Sequence, residues 1–121
     1  MMIEEIHHVQ LAMPKGGEFE ARFFYQDVLG LSVVAKPEAL ADRGGAWFEN
    51  RAVRVHLGIE DPFAPARKAH PAFRVASLIE MRAILDSKDI PYSSDADLPG
   101  ITRIFVHDPF GNRIELLEER P

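Results

Sequence analysis

The chain of 121 residues contains no cysteine. That excludes disulfides, thiolate metal ligands and thiol nucleophiles together, and leaves any metal chemistry to imidazole and carboxylate groups. No apolar run approaches the roughly 20 residues needed to cross a bilayer, so no membrane partner is expected. The opening Met1-Met2-Ile3-Glu4-Glu5 has neither the basic start nor the apolar stretch of a signal peptide, and a cytoplasmic protein is expected. Lys and Arg are scattered, the net charge is −5, and Arg67-Lys68 is the only adjacent basic pair. No stripe suited to tracking phosphates is present, so nucleic acid is not an expected partner.

What remains is ordinary for a globular protein: 46% apolar and 27% charged residues, too apolar for disorder. The length fits one compact domain, or two small halves sharing a core.

The halves resemble one another. At an offset of 62, His8 falls on His70, Glu18 on Glu80, Ala21 on Ala83, Asp27 on Asp89 and Val28 on Ile90. At an offset of 59, Arg54-Val55-His56-Leu57 falls on Arg113-Ile114-Glu115-Leu116. These matches predict two copies of one supersecondary unit within a single domain spanning 1–121, at about 3–60 and 69–118. The stretch 61–68 between them begins Asp61-Pro62-Phe63-Ala64-Pro65 and reads as a linker, with Arg67 and Lys68 on its solvated end.

Each unit reads as strand, helix and three strands. The opening strands are Ile6–Met13 and His70–Val75. The first helix covers about Glu18–Val28, with Phe19, Phe23, Phe24 and Val28 as its buried stripe and Gly30 ending it in a left-handed turn. In the second unit Leu78, Met81, Ile84 and Leu85 form the stripe. The remaining strands are expected near Leu31–Val34, Ala46–Glu49 and Val53–Gly58, then Ile90–Tyr92, Ile101–His107 and Arg113–Glu118. Asp108-Pro109-Phe110-Gly111-Asn112 is the turn before the last of these. The fold class is therefore α+β, two βαβββ units with helices on one sheet face.

Alternation along the strands sorts the side chains. Val9, Leu11, Val53, Val55, Leu57, Phe73, Val75, Ile104, Val106, Ile114 and Leu116 belong to the face under the helices. The other face carries His8, Gln10, Arg54, His56, His70, Arg74, Arg103, Phe105, Arg113 and Glu115. A solvated sheet face has no need for three of the chain's five histidines at equivalent strand positions. His8, His56, His70 and Glu115 are therefore candidate ligands of one divalent ion in a cleft. Three nitrogens and one oxygen suit Zn, Ni, Co, Mn or Fe better than Mg or Ca. His7 has the opposite parity and reads as structural or exposed; His107 borders a turn and reads as a turn or rim residue.

Three stretches carry a family resemblance that covers nearly the whole chain. Ile6-His7-His8-Val9-Gln10-Leu11 resembles the opening metal strand of the vicinal-oxygen-chelate superfamily, which includes glyoxalase I, fosfomycin-resistance enzymes, extradiol dioxygenases and bleomycin-resistance proteins. Ala21-Arg22-Phe23-Phe24-Tyr25-Gln26-Asp27-Val28-Leu29-Gly30-Leu31 resembles its helix and exit. Phe105 to Glu115, through Asp108-Pro109-Phe110-Gly111-Asn112, resembles its closing hairpin. The resemblance places metal ligands at the same four residues. It also implies a homodimer with metal sites at the interface, His8 and His56 coming from one chain and His70 and Glu115 from its partner. Glyoxalase I has a glutamate where this chain has His56, which argues against that particular activity.

The resulting expectation is a metal-dependent lyase or isomerase acting on a small substrate chelated through neighbouring oxygens. Glu115, the only carboxylate of the set, is the candidate general base. Arg103, Phe105, Trp47 and Gln10 are the candidate substrate contacts. The alternatives are a metal-free binding or resistance protein, a thiol-transferring resistance enzyme, and an Fe- or Mn-dependent dioxygenase, in which a fourth protein ligand would crowd oxygen.

Overall fold

The structure, a computed structural model, describes residues 2–121. It divides into two compact units, Met1–Pro65 and Ala66–Pro121, each with its own four-stranded sheet. The α+β class is thus present, and no helix among the described residues is long and apolar enough to cross a membrane.

In the first unit β1 (Val9–Met13) is followed by α1 (Glu18–Arg22), which widens into a π-helical stretch over Phe23–Val28. The widening is seen where the Leu29 amide reaches back five residues to the Phe24 carbonyl at 2.9 Å. Gly30, at φ +82°, then ends the helix in the left-handed region. The strands β2 (Ser32–Val34), β3 (Ala46–Asn50) and β4 (Val53–Ile59) follow, with a 3-10 turn at Glu38–Arg43 between β2 and β3. The order across the sheet is β1-β4-β3-β2, with β1 and β4 parallel and the others antiparallel.

The helical stripe differs from the sequence expectation. Ala21, Phe24, Tyr25 and Val28 are buried, whereas Phe19 is 82% exposed and Phe23 is 39% exposed. Both sets are apolar at helical spacing, so periodicity alone could not choose between them; Tyr25 settles the phase by packing against Phe24 and Phe48. Met13, Phe48, Val55 and Leu57 complete this core.

The second unit repeats the plan: β5 (Ala72–Arg74), α2 (Leu78–Ser87), β6 (Tyr92–Ser94), β7 (Ile101–His107) and β8 (Arg113–Glu119), ordered β5-β8-β7-β6. The Ser77 hydroxyl caps α2 by accepting from the Glu80 amide. Leu78, Met81 and Leu85 are buried with Ile104, Val106, Ile114 and Leu116. Ile84, expected in the stripe, is instead 39% exposed, at the margin of that face.

The register reproduces both sequence offsets. Gln10 lies opposite His56, and Ala72, 62 positions further on, lies opposite Glu115, 59 positions further on. Leu11 opposite Leu57 and Phe73 opposite Leu116 obey the same rule. One difference concerns the strand starts. His8 and His70 precede β1 and β5 rather than lying inside them, so each ring is carried on the lead-in to its strand.

Candidate functional site

In the first unit, strand pairing sets Trp47 and Gln10 on either side of His56. Directly paired residues share a sheet face, so all three side chains project together. The Trp47 indole stacks on the His56 imidazole with centroids 3.9 Å apart and planes 3° from parallel. His8 covers the other side at 4.2 Å and 20°. His56 is buried between them, while His8 and Gln10 are exposed. The Nδ1 atoms of His7 and His8 stand 3.0 Å apart, and Arg54 donates to the His7 carbonyl.

The environment of His56 holds its pKa below the usual histidine value. Burial is the main cause, the neighbouring His8 and His7 act in the same direction, and Glu49 opposes them. A neutral imidazole is the form that ligates metal. The same shift carries a stability consequence. Because the folded chain resists protonation at His56, stability present above the unfolded pKa is lost as pH falls through it towards the lowered folded value. The urea midpoint of the wild type is therefore expected to fall more between pH 7.5 and pH 5 than that of His56→Phe, which retains a flat ring.

In the second unit His70 and Glu115 meet directly, Nε2 standing 3.0 Å from Oε1. The His70 Nδ1 lies 2.9 Å from the Lys68 carbonyl, and a carbonyl can only accept, so Nδ1 carries the proton. In a neutral ring Nε2 then turns its lone pair towards a carboxylate oxygen. That approach needs a positive centre, a second proton on His70 or a cation, to be favourable. Two ligands at right angles on an ion, each about 2.1 Å away, stand about 3.0 Å apart, so the spacing fits adjacent positions in one coordination shell.

Arg103 also points to Glu115, with one guanidinium nitrogen 3.4 Å from Oε1. It further donates to the Ala96 carbonyl and lies 3.9 Å from Asp95. Phe105, directly across from Glu115, packs edge-on against His70 at 5.3 Å and under the Arg113 guanidinium at 4.0 Å. Glu115 is buried, yet no buried side-chain oxygen among the described residues lacks a partner. Since its hydrogen bonds all go to Oε1, Oε2 retains access to the surroundings.

The four expected ligands thus form two pairs, His8 with His56 and His70 with Glu115. Among the described residues no group of three or more histidine or acidic side chains gathers around one point. The donor types fit a first-row divalent ion, and the second pair fits in spacing. The first pair is close enough, but near-parallel rings do not aim their in-plane lone pairs at one point, so one ring must turn for both to share an ion. His7 and His107 are exposed, His107 as the last residue of β7, at the rim of its sheet, rather than in the turn.

One feature was not visible in the sequence. A cavity of about 230 Å³ in the first unit is lined by Gln10 and Trp47 from the sheet and by Lys36, Leu40 and Arg43 from the connection between β2 and β3. Such an aperiodic connection carries no alternation to read. The signal available was Gly44-Gly45, whose φ values of +74° and +81° let the chain turn back against β4. A Cβ on Gly45 would lie 2.1 Å from the Leu57 carbonyl oxygen.

Comparison with known proteins agrees with this architecture. A glyoxalase family protein from Bacillus anthracis is 43% identical, with 99% of this chain and 98% of that one covered at a TM-score of 0.95. A lactoylglutathione lyase from Agrobacterium tumefaciens shares the fold at 22% identity, with coverage of 98% and 96% and a TM-score of 0.73. So does a genomically encoded fosfomycin resistance protein from Listeria monocytogenes, at 15% identity, coverage of 97% and 94%, and a TM-score of 0.76. No curated protein matches in sequence. Residues 6–116 match the family to which the chain belongs, the Glyoxalase/Bleomycin resistance protein/Dioxygenase superfamily.

Proposed function

We propose that the chain is a divalent-metal-dependent enzyme of the lyase or isomerase type, acting on a small substrate that offers two neighbouring oxygens. His8, His56, His70 and Glu115 would hold the ion (Zn, Ni, Co, Mn or Fe), the two half-sites being combined in a homodimer. The observation that carries this reading is the His70–Glu115 contact, in which Nε2 stands 3.0 Å from a carboxylate oxygen while Nδ1 is bonded to the Lys68 carbonyl. A divalent ion would supply Lewis-acid polarisation of the two substrate oxygens.

The chain's own groups do the remaining work. The bond from Nδ1 to the Lys68 carbonyl fixes the tautomer and tilt of His70. Arg103 holds one carboxylate oxygen of Glu115, so the other can take a proton from the carbon beside the substrate oxygens. Phe105 forms an apolar wall beside this proton path. In deuterated solvent, the metal-loaded protein is expected to exchange the α-hydrogen of α-hydroxycarbonyl or hemithioacetal substrates, followed by NMR. A fully loaded protein that exchanges none of them rejects the lyase or isomerase reading.

The stacked rings of His8, His56 and Trp47 favour a second reading, a metal-free small-molecule binder with a flat aromatic wall. Purified protein that holds no metal and refuses added Zn, Ni, Co and Mn would select it.

A further inference from the structure

The cavity beside Trp47 differs in charge from the rest of the chain. The protein carries a net charge of −5, yet the cavity lining contains two cations, Lys36 and Arg43, and no carboxylate. Neither cation forms an ion pair among the described residues. The Lys36 ammonium donates to the Gly44 carbonyl, which uses one of its three N–H groups and anchors it at the cavity wall. The Glu18 carboxylate stands nearby, beside Gly44, where it accepts from the Gly45 amide at 3.0 Å and keeps its negative charge. Arg43 is exposed and offers a planar fork of donors suited to an oxyanion.

The opposite wall connects this charge to the candidate reaction centre. Trp47 lines the cavity and also stacks on His56. Gln10, across from His56, lays its amide against Gly58, where a Cβ would stand 2.7 Å from the amide nitrogen. Glycine at 58 thus leaves room for a polar group at the cavity floor. At about 230 Å³ the space lies below the roughly 300–1,000 Å³ usual for drug-sized ligands, so the occupant is small.

We propose that this cavity binds an anionic group of the substrate, a carboxylate or a phospho group, through Lys36 and Arg43, and so sets the orientation of the remainder of the molecule beside His56. This assignment of a substrate class rests on the reading of His56 as part of the reaction centre.

Trp47 is the only tryptophan in the chain, so its fluorescence reports on this cavity directly. Metal-stripped protein is titrated at constant ionic strength with methylphosphonate, with acetate, and with the neutral dimethyl methylphosphonate. The expected result is a saturable change with at least one anion and none with the neutral ester, weakened about tenfold or more in Lys36→Gln/Arg43→Gln. The tighter of the two anions identifies the group as phospho or carboxylate. Should the double variant misfold, Arg43→Gln at its exposed position is expected to weaken binding severalfold. No saturable change, or an equal one in wild type and Arg43→Gln, overturns the proposal. Metal uptake, measured on separate aliquots, distinguishes the failures: its loss with anion binding intact removes the metal reading alone.

Discussion

Glu115→Gln will slow α-proton exchange by about 10²–10⁴-fold, the usual contribution of a positioned general base. The substitution removes the basic oxygen while keeping size and an oxygen acceptor, so the hydrogen bond from Arg103 can persist. Pre-steady-state exchange at saturating metal and substrate separates this effect from weakened metal binding. If the rate per loaded site stays within about threefold of wild type, Glu115 is not the base.

Asp108→Ala will lower the melting temperature by more than ten degrees. The Asp108 carboxylate accepts from the Phe110 and Asn112 amides through Oδ1 and from the Asn112 side-chain amide through Oδ2, each at 2.9 Å. Asp108 and Asn112 are both buried, and the Asn112 side-chain oxygen in turn accepts from the Ala66 amide. Removing the carboxylate breaks these three hydrogen bonds, at about 1–3 kcal/mol each before relaxation. A net loss of about 3–4 kcal/mol corresponds to roughly 10 °C or more in a chain of this size. Asp108→Asn, which can still serve both backbone amides, should fall between; calorimetry that finds Asp108→Ala within two or three degrees of wild type refutes this role for the turn.

That turn, and the residues aimed by the strands it joins, were legible in the sequence. An Asp-Pro-Phe-Gly-Asn run supplies its own acceptors and a positive-φ glycine, and the hairpin follows from local chemistry. His56 and Glu115 were legible for a different reason: alternation within a strand fixes the face once the strand is recognised, and the repeat fixes which positions correspond. The phase of α1 was not legible, because Phe19 and Phe23 offer an apolar row as persuasive as the one that is buried. Only packing against Phe48 decides between them. Arg103 was read as a substrate contact, and its polar-face position allows a second use. A polar-face arginine can hold a substrate or a protein carboxylate, and the structure ties it to Glu115, Asp95 and the Ala96 carbonyl. Trp47 was read as a substrate contact; its register opposite His56 makes it a neighbour of that ring. The cation-lined cavity lay outside any pattern, since it arises from how a glycine-containing connection folds back on β4.

The most direct test of the account is metal stoichiometry, measured by elemental analysis on the wild type beside His56→Ala and Glu115→Ala. The wild type should carry, or take up, about one divalent ion per chain, and each variant, drawn from a different unit, should lose most of it while retaining its circular dichroism. A wild type that binds no divalent ion, or variants that bind it as tightly as the wild type, would contradict the assignment of these residues as ligands.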